Sequence, residues 1–399
     1  LILSDKTIAR LRKIDPLLVG EAKDGKQIIS LGLIASSSHS PRPVLSTDTS
    51  SNPASCITIP THSESIATFE FLGYTPQKAA NLWEQRMSHI QRVEAIYPSS
   101  DGFGDQPTDV QSWATDHDHV GICGQDACAD STDDWDGAMA KIGINDKIRA
   151  ALAKPEHSNI RLTQNMSEWL REIINANFWA LVFLEDRILL ELDRATADVE
   201  VENNEEATCV IPPIPDGHIA LYKSVEYRKN MKIPTPDDLL YRYWACSRMD
   251  IGDNYFAEQR WVAEQYSALI SDACPIADRR TLEVHVPLSY FQSVGLWELK
   301  FEDEEFKKQA CYFRNRGGHH LGQELWKKRG EYGAISGPML CNHNLSFKKM
   351  KSWREITEEH QLRSKGDPTD IAKQYCWPED LLLYDLEDAV QGKMYVRQA

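Results

Sequence analysis

The sequence predicts an α+β protein in two parts, and three observations carry that prediction. Between residues 144 and 193 apolar side chains recur at helical spacing. After residue 207 short apolar runs closed by turn residues alternate with helical stretches. Between the two lie the acidic ADVEVENNEEA and the proline-rich VIPPIPDGH, the composition of a linker. The expected domains are a mainly helical N-terminal region with long loops over 1–207 and an α+β domain over 208–399.

A chain of 399 residues with 42% hydrophobic content can bury sizeable cores. Its 60 acidic residues against 44 basic ones leave a net charge of -16, which argues against a chain-wide nucleic-acid or membrane surface. The nine cysteines are odd in number and scattered, unlike a disulfide framework, so a reducing cytoplasm is the expected location. No basic start leads into a long apolar run, and the most apolar stretch, 178–192, is interrupted by Glu185, Asp186 and Arg187. It reads as a buried helix.

From the start of the chain, a short helix is expected around Lys6 to Leu18, then a buried strand, IISLGLI, after the turn at Asp24-Gly25. The Ser-, Thr- and Pro-rich residues from Ser36 to Ser55 cannot bury much apolar surface and read as a mobile loop. Thr75 as cap and Pro76 at the first helical position start a helix that carries Ala79, Leu82, Trp83, Ile90 and Val93 on one face. It ends before Pro98.

The acidic stretch from Ser99 to Asp136 has little periodicity and is expected to be a surface loop. Within it His117, His119, Cys123 and Cys128 carry metal-ligand atoms, but H-x-H followed by C-x4-C is not the spacing of a zinc finger, so no metal is predicted. Further on, Asn165 as cap with Glu168 three residues later has capping-box spacing. Trp169, Ile173, Ile174, Leu181, Leu184, Ile188 and Leu192 then mark a core face.

Beyond residue 207, HIALY, the Tyr255-Phe256 region, LEVHVPL, YGAISGPML and DIAKQYCW read as strands. Helices are expected over Glu258 to Ala268, over EEFKKQACYF, and from Pro378 through Ala389. Lys223 and Tyr255 fall near the ends of two strands, where a cleft can form.

Five pieces in this order carry a resemblance. HIALYKSV, GDNYFAEQRWVAEQYSAL, VHVP, EYGAISGPM, and WREITEEHQLR through IAKQYCWPEDLLLYDLED resemble the C-terminal domain of a group of uncharacterised fungal proteins similar to ADP-ribosyltransferases. The resemblance covers the C-terminal half alone. It implies a split-sheet domain, NAD as the nucleotide, and a site of three residues. An Arg or His on the first strand holds a ribose or phosphate, and this position falls on Lys223, a point charge without a bidentate fork. An aromatic packs on nicotinamide, and here it is Tyr255. A late Glu steadies a developing cation, and its position falls on Gln374, an amide that can bond a hydroxyl but brings no negative charge. The catalytic set implied is Gln374, Tyr255 and Lys223, with departures at two of the three positions. The plainer account makes Lys223 an exposed lysine, Tyr255 a rim aromatic and Gln374 a partner for backbone groups.

Between Lys307 and Lys365 basic residues cluster, with Tyr312, Phe313, Trp326 and Trp353 interleaved. Such an arm suits phosphates, of a dinucleotide through Arg314 and Arg316 or of RNA, and its plain alternative is a solvated helix face. A nucleotide-dependent transferase is therefore the expected function. The alternative is an enzyme using aminoacyl-tRNA, similar in size to the fungal arginine-containing cyclodipeptide synthases, and the third reading is a non-enzymatic nucleotide-binding module.

Overall fold

The computed structural model describes residues 1–30, 56–96, 110–117, 134–197, 211–226, 254–315, 323–342, 347, 349–377 and 381–397. The expected Ser36–Ser55 loop and the linker around residue 207 lie outside the described residues, as do His119, Cys123 and Cys128; His117 is described only as backbone. No helix among the described residues is long and apolar enough to cross a membrane, and no disulfide joins the described cysteines.

The first helix, Asp5–Ile14, is capped by the Ser4 hydroxyl, which accepts from the Thr7 N–H. It stops sooner than its apolar spacing suggests because Pro16 pushes Asp15 into an extended conformation, and a separate 3-10 turn, Pro16–Leu18, follows. Strand β1 (Lys26–Ser30) pairs antiparallel with β2 (Cys56–Pro60) in a two-stranded sheet, and positive φ at Asp24 and Gly25 makes the turn into it. The helix Pro76–Ile96 starts where Pro76 requires, and its expected end before Pro98 falls at the edge of the described residues. In the helix Met166–Val182, Asn165 accepts from the Glu168 N–H and the Glu168 side chain accepts from the Asn165 N–H, the reciprocal box its spacing predicts.

The C-terminal half forms a seven-stranded sheet: β3 (His218–Glu226), β4 (Asn254–Ala257), β5 (Arg279–Pro287), β6 (Leu296–Glu298), β7 (Ala334–Pro338), β8 (Lys373–Trp377) and β9 (Met394–Arg397). Its order is β6-β7-β8-β4-β3-β5-β9, antiparallel throughout except for β6 with β7. Its two halves, β6-β7-β8-β4 and β3-β5-β9, meet at the single pair Tyr222–Ala257, and the α+β class stands.

Side chains alternate across this sheet, so the register assigns each to a face. One face, here the outer one, carries Leu221, Val225, Phe256, Leu282, Val284, Tyr375 and Trp377 and is packed by the helices Leu288–Val294 and Leu381–Val390. The inner face receives the helix Arg260–Ala273, whose Ser267 hydroxyl donates to Ser224 at 2.9 Å. Behind that helix lie the N-terminal helices: Val262 and Leu269 share a buried cluster with Trp169, Leu170 and Ile173. Residues from both sides of the expected boundary thus share one core.

At the inner end of β3 the Glu226 carboxyl is buried against Arg279, whose Nε lies 3.5 Å away, and accepts from the Asp278 N–H at 3.3 Å. Burial, opposed by the charges of Arg279 and Arg187, pushes its pKa up to about 7 from 4.5. The folded state then binds more protons than the unfolded chain between these values. The contribution of Glu226 to stability is full below pH 4.5 and is lost as pH rises through about 7. The difference is on the order of 3 kcal/mol. Glu226→Gln is expected to flatten this part of the profile, read as urea midpoints from pH 5 to 9 for both proteins. Parallel profiles would reject the assignment.

Candidate functional site

The register brings Lys223, Tyr255 and Gln374 onto three neighbouring strands, β3, β4 and β8, but not onto one face. Tyr222 pairs with Ala257 and Ala257 with Gln374, so Lys223 stands in a row with Phe256 and Tyr375. Its ammonium lies 5.2 Å from the centre of the Phe256 ring, on the outer face. Tyr255 pairs with Cys376, and both Tyr255 and Gln374 project from the inner face, where Tyr255 is 48% exposed. By this register Lys223 alternates to the face opposite Tyr255 and Gln374. The cause is parity: 255 and 256 are consecutive in a strand, and the residue sharing a face with Lys223 is Phe256. Arg314 is described only as backbone at the end of the helix Glu304–Asn315, and Arg316 lies outside the described residues.

The outer face holds a different set. Across β6, β7, β8, β4 and β3 one row reads Glu298, Ser336, Tyr375, Phe256, Lys223. Beside it, where β4 runs on past Ala257, the Glu258 N–H donates to the Lys373 carbonyl at 2.9 Å, so these two residues face each other across strands. The Tyr375 hydroxyl donates to Glu258 Oε2 at 3.0 Å. The Lys373 ammonium donates to Glu298 Oε1 at 2.7 Å, lies 3.6 Å from Glu258 Oε2, and sits 5.2 Å from the centre of the Tyr375 ring. Lys373 thus bridges two carboxylates above the row. Ser336, only 1% exposed, finds no hydrogen-bond partner for its hydroxyl among the described residues and stands between Tyr375 and Glu298.

Electrostatics fix the proton inventory. Burial, then the charge of Glu258, pushes the Tyr375 hydroxyl up to about 12, so it remains a donor at neutral pH. The hydrogen bond from Lys373 holds Glu298 below the usual carboxylate range. Burial disfavours the charge on Lys373, yet the hydrogen bond to Glu298, then Tyr375 and the Glu258 charge, outweigh it and raise its pKa. One ammonium between two carboxylates leaves the cluster net negative. Such a cluster suits a cationic group, or positive charge that develops during a reaction.

The cluster is anchored from beneath. Phe291, from the helix Leu288–Val294, packs on Tyr375 with ring centroids 5.5 Å apart, and fully buried Trp377 donates from Nε1 to the Tyr290 hydroxyl at 2.8 Å. Sequence reading passed over Glu258, Lys373 and Tyr375 although each is next to, or three residues from, a residue it singled out. The signal was period two: Tyr375 and Lys373 flank Gln374 and take the opposite face.

Several cations of the basic arm have partners. Lys308 pairs with Glu304 at 2.5 Å, Lys328 with Glu305 at 2.6 Å and Arg363 with Glu358 at 3.7 Å, while the Lys365 ammonium donates to the Pro155 and Glu156 carbonyls. What persists is aromatic: Trp353 lies beneath the Arg354 guanidinium at 4.2 Å and the Lys308 ammonium at 5.8 Å, and Lys307 covers Phe301 at 4.5 Å. Comparison with known proteins finds no matching family model, no similar curated protein and no similar solved structure.

Proposed function

We propose that the chain is a transferase acting on a nucleotide donor, with its reacting centre at Glu258, Tyr375 and Lys373 on the outer face. One observation carries the reading: the Glu258 carboxylate accepts the Tyr375 hydrogen bond beside an ammonium already shared with Glu298. A group transfer in which the bond to a leaving nucleobase or nicotinamide breaks ahead of attack builds positive charge on the sugar. Glu258 brings the negative charge that Gln374 cannot, Tyr375 fixes its orientation, and Lys223 supplies a cation for phosphate on the same face. NAD is the donor to test first. Thermal shift is expected to rise with NAD in the wild type and to weaken in Lys223→Ala, with Tyr255→Ala unchanged. No shift at millimolar NAD would reject this donor.

A second reading, an enzyme using aminoacyl-tRNA of the arginine-containing cyclodipeptide synthase kind, has its own support in Trp353 and Phe301, each covered by cations, an arrangement that stacks unpaired bases. The net negative cluster would then hold a guanidinium. Salt-sensitive retention of tRNA, without an NAD shift, would favour this reading. An NAD shift without turnover would leave the nucleotide-binding module.

A further inference from the structure

We infer that Glu156, His157 and Asp272 bind a borderline divalent cation where the helical region meets the sheet domain, Zn2+ being the first to test. One ligand atom of each residue lies within 4.8 Å of the other two. His157 ends the 3-10 turn Pro155–His157, and Asp272 lies in the last turn of the helix Arg260–Ala273. The ligands therefore come from both sides of the expected domain boundary and would be clipped together by one ion. That helix covers the inner face of the sheet, so the cluster is separate from the outer-face centre proposed above and stands or falls apart from it.

His157, only 4% exposed, holds its Nε2 at 2.7 Å from Asp272 Oδ2, and the Lys154 ammonium lies 2.8 Å from the same oxygen. The place thus already holds a cation, and the partial negative charge at the helix end adds to the two carboxylates in favouring one. Lys154 is a replaceable occupant, 41% exposed on a flexible stem. A dication bonded to all three ligands at about 2.0–2.2 Å brings twice the charge closer to both carboxylates and sends Lys154 into water. Such bonds put tetrahedral ligand atoms about 3.3 Å apart. The His157–Asp272 contact is already shorter than that, so closure falls to Glu156, whose side chain is exposed and free to swing in. Because the carboxylate only accepts, Nε2 carries the His157 proton; it passes to Nδ1 or to solvent as the metal takes the Nε2 lone pair. The Lys365 ammonium pins the turn from behind through the Pro155 and Glu156 carbonyls, at 3.1 and 2.8 Å. Asp272 is 32% exposed and Glu156 more so, which leaves an open side where water completes the coordination. One imidazole with two carboxylates suits Zn2+ or Mn2+, whereas Mg2+ and Ca2+ take oxygen alone.

The full chain should be titrated with Zn2+ to about 0.1 mM, read as thermal shift, and with Co2+, read as d–d absorption. One equivalent is expected, with no shift from Mg2+ at the same concentration. Asp272→Asn and Glu156→Gln, which keep the shape of each side chain, are expected to weaken binding at least about tenfold. Lys154→Met removes the competing ammonium and is expected to tighten it about two- to fivefold, the worth of one exposed ion pair. His157→Ala should abolish the cobalt signal; should that variant fail to fold, the exposed Glu156 and Lys154 decide. No binding by the wild type, binding unchanged in Asp272→Asn and Glu156→Gln, or weaker binding in Lys154→Met would overturn the assignment.

Discussion

Trp377→Ala is expected to cost about 3–5 kcal/mol of folding stability, the range for truncating a large buried aromatic. Trp377 is fully buried, with Phe256 edge-on at 5.7 Å and Phe291 at 6.3 Å, and its indole N–H donates to the Tyr290 hydroxyl. Truncation removes the ring contacts, opens a cavity between β8 and the helix Leu288–Val294, and takes the indole donor from a phenol whose pKa burial pushes up to about 12. Trp377→Phe keeps part of the ring and is expected to cost roughly half as much. The denaturant midpoint should fall with an unchanged slope. A loss under about 1 kcal/mol for Trp377→Ala would mean that this anchor does not hold the outer face. The effect reaches function because Lys373 and Tyr375 lie on the same short strand.

How much of this was legible in the sequence varies with the physics behind each feature. The capping box at Asn165, the Pro76 start, and the strands at 218–226, 279–287 and 373–377 follow from local patterns, and the chain adopts them. The break before Pro16 was available too, since proline constrains the residue that precedes it. Strand β9 was not, because its four residues gain their order from pairing with β5. Nor was the shared core, since contacts such as that of Trp169 with Tyr266, at a ring separation of 5.0 Å, join segments almost a hundred residues apart. The candidate site was half legible. Strand neighbours were foreseen near Lys223, Tyr255 and Gln374, yet a register is set by long-range pairing, and one step in it exchanges the faces. In the basic arm, Lys308, Lys328 and Arg363 pair with Glu304, Glu305 and Glu358, pairings that a count of basic residues does not show.

The largest functional effect is expected at Glu258. If its carboxylate faces charge that develops in the transition state, Glu258→Gln keeps a hydrogen-bond acceptor for Tyr375 but removes the negative charge. A fall in turnover of about 10²–10³-fold is expected, with donor affinity changed far less. Gln374, on the inner face opposite Ala257, lies outside the proposed centre, and Gln374→Ala is expected to leave turnover near that of the wild type. The decisive measurement is nicotinamide release from NAD by the wild type, Glu258→Gln and Gln374→Ala, side by side. Loss confined to Glu258→Gln is the predicted result; loss in Gln374→Ala with Glu258→Gln still active would contradict an outer-face reacting centre.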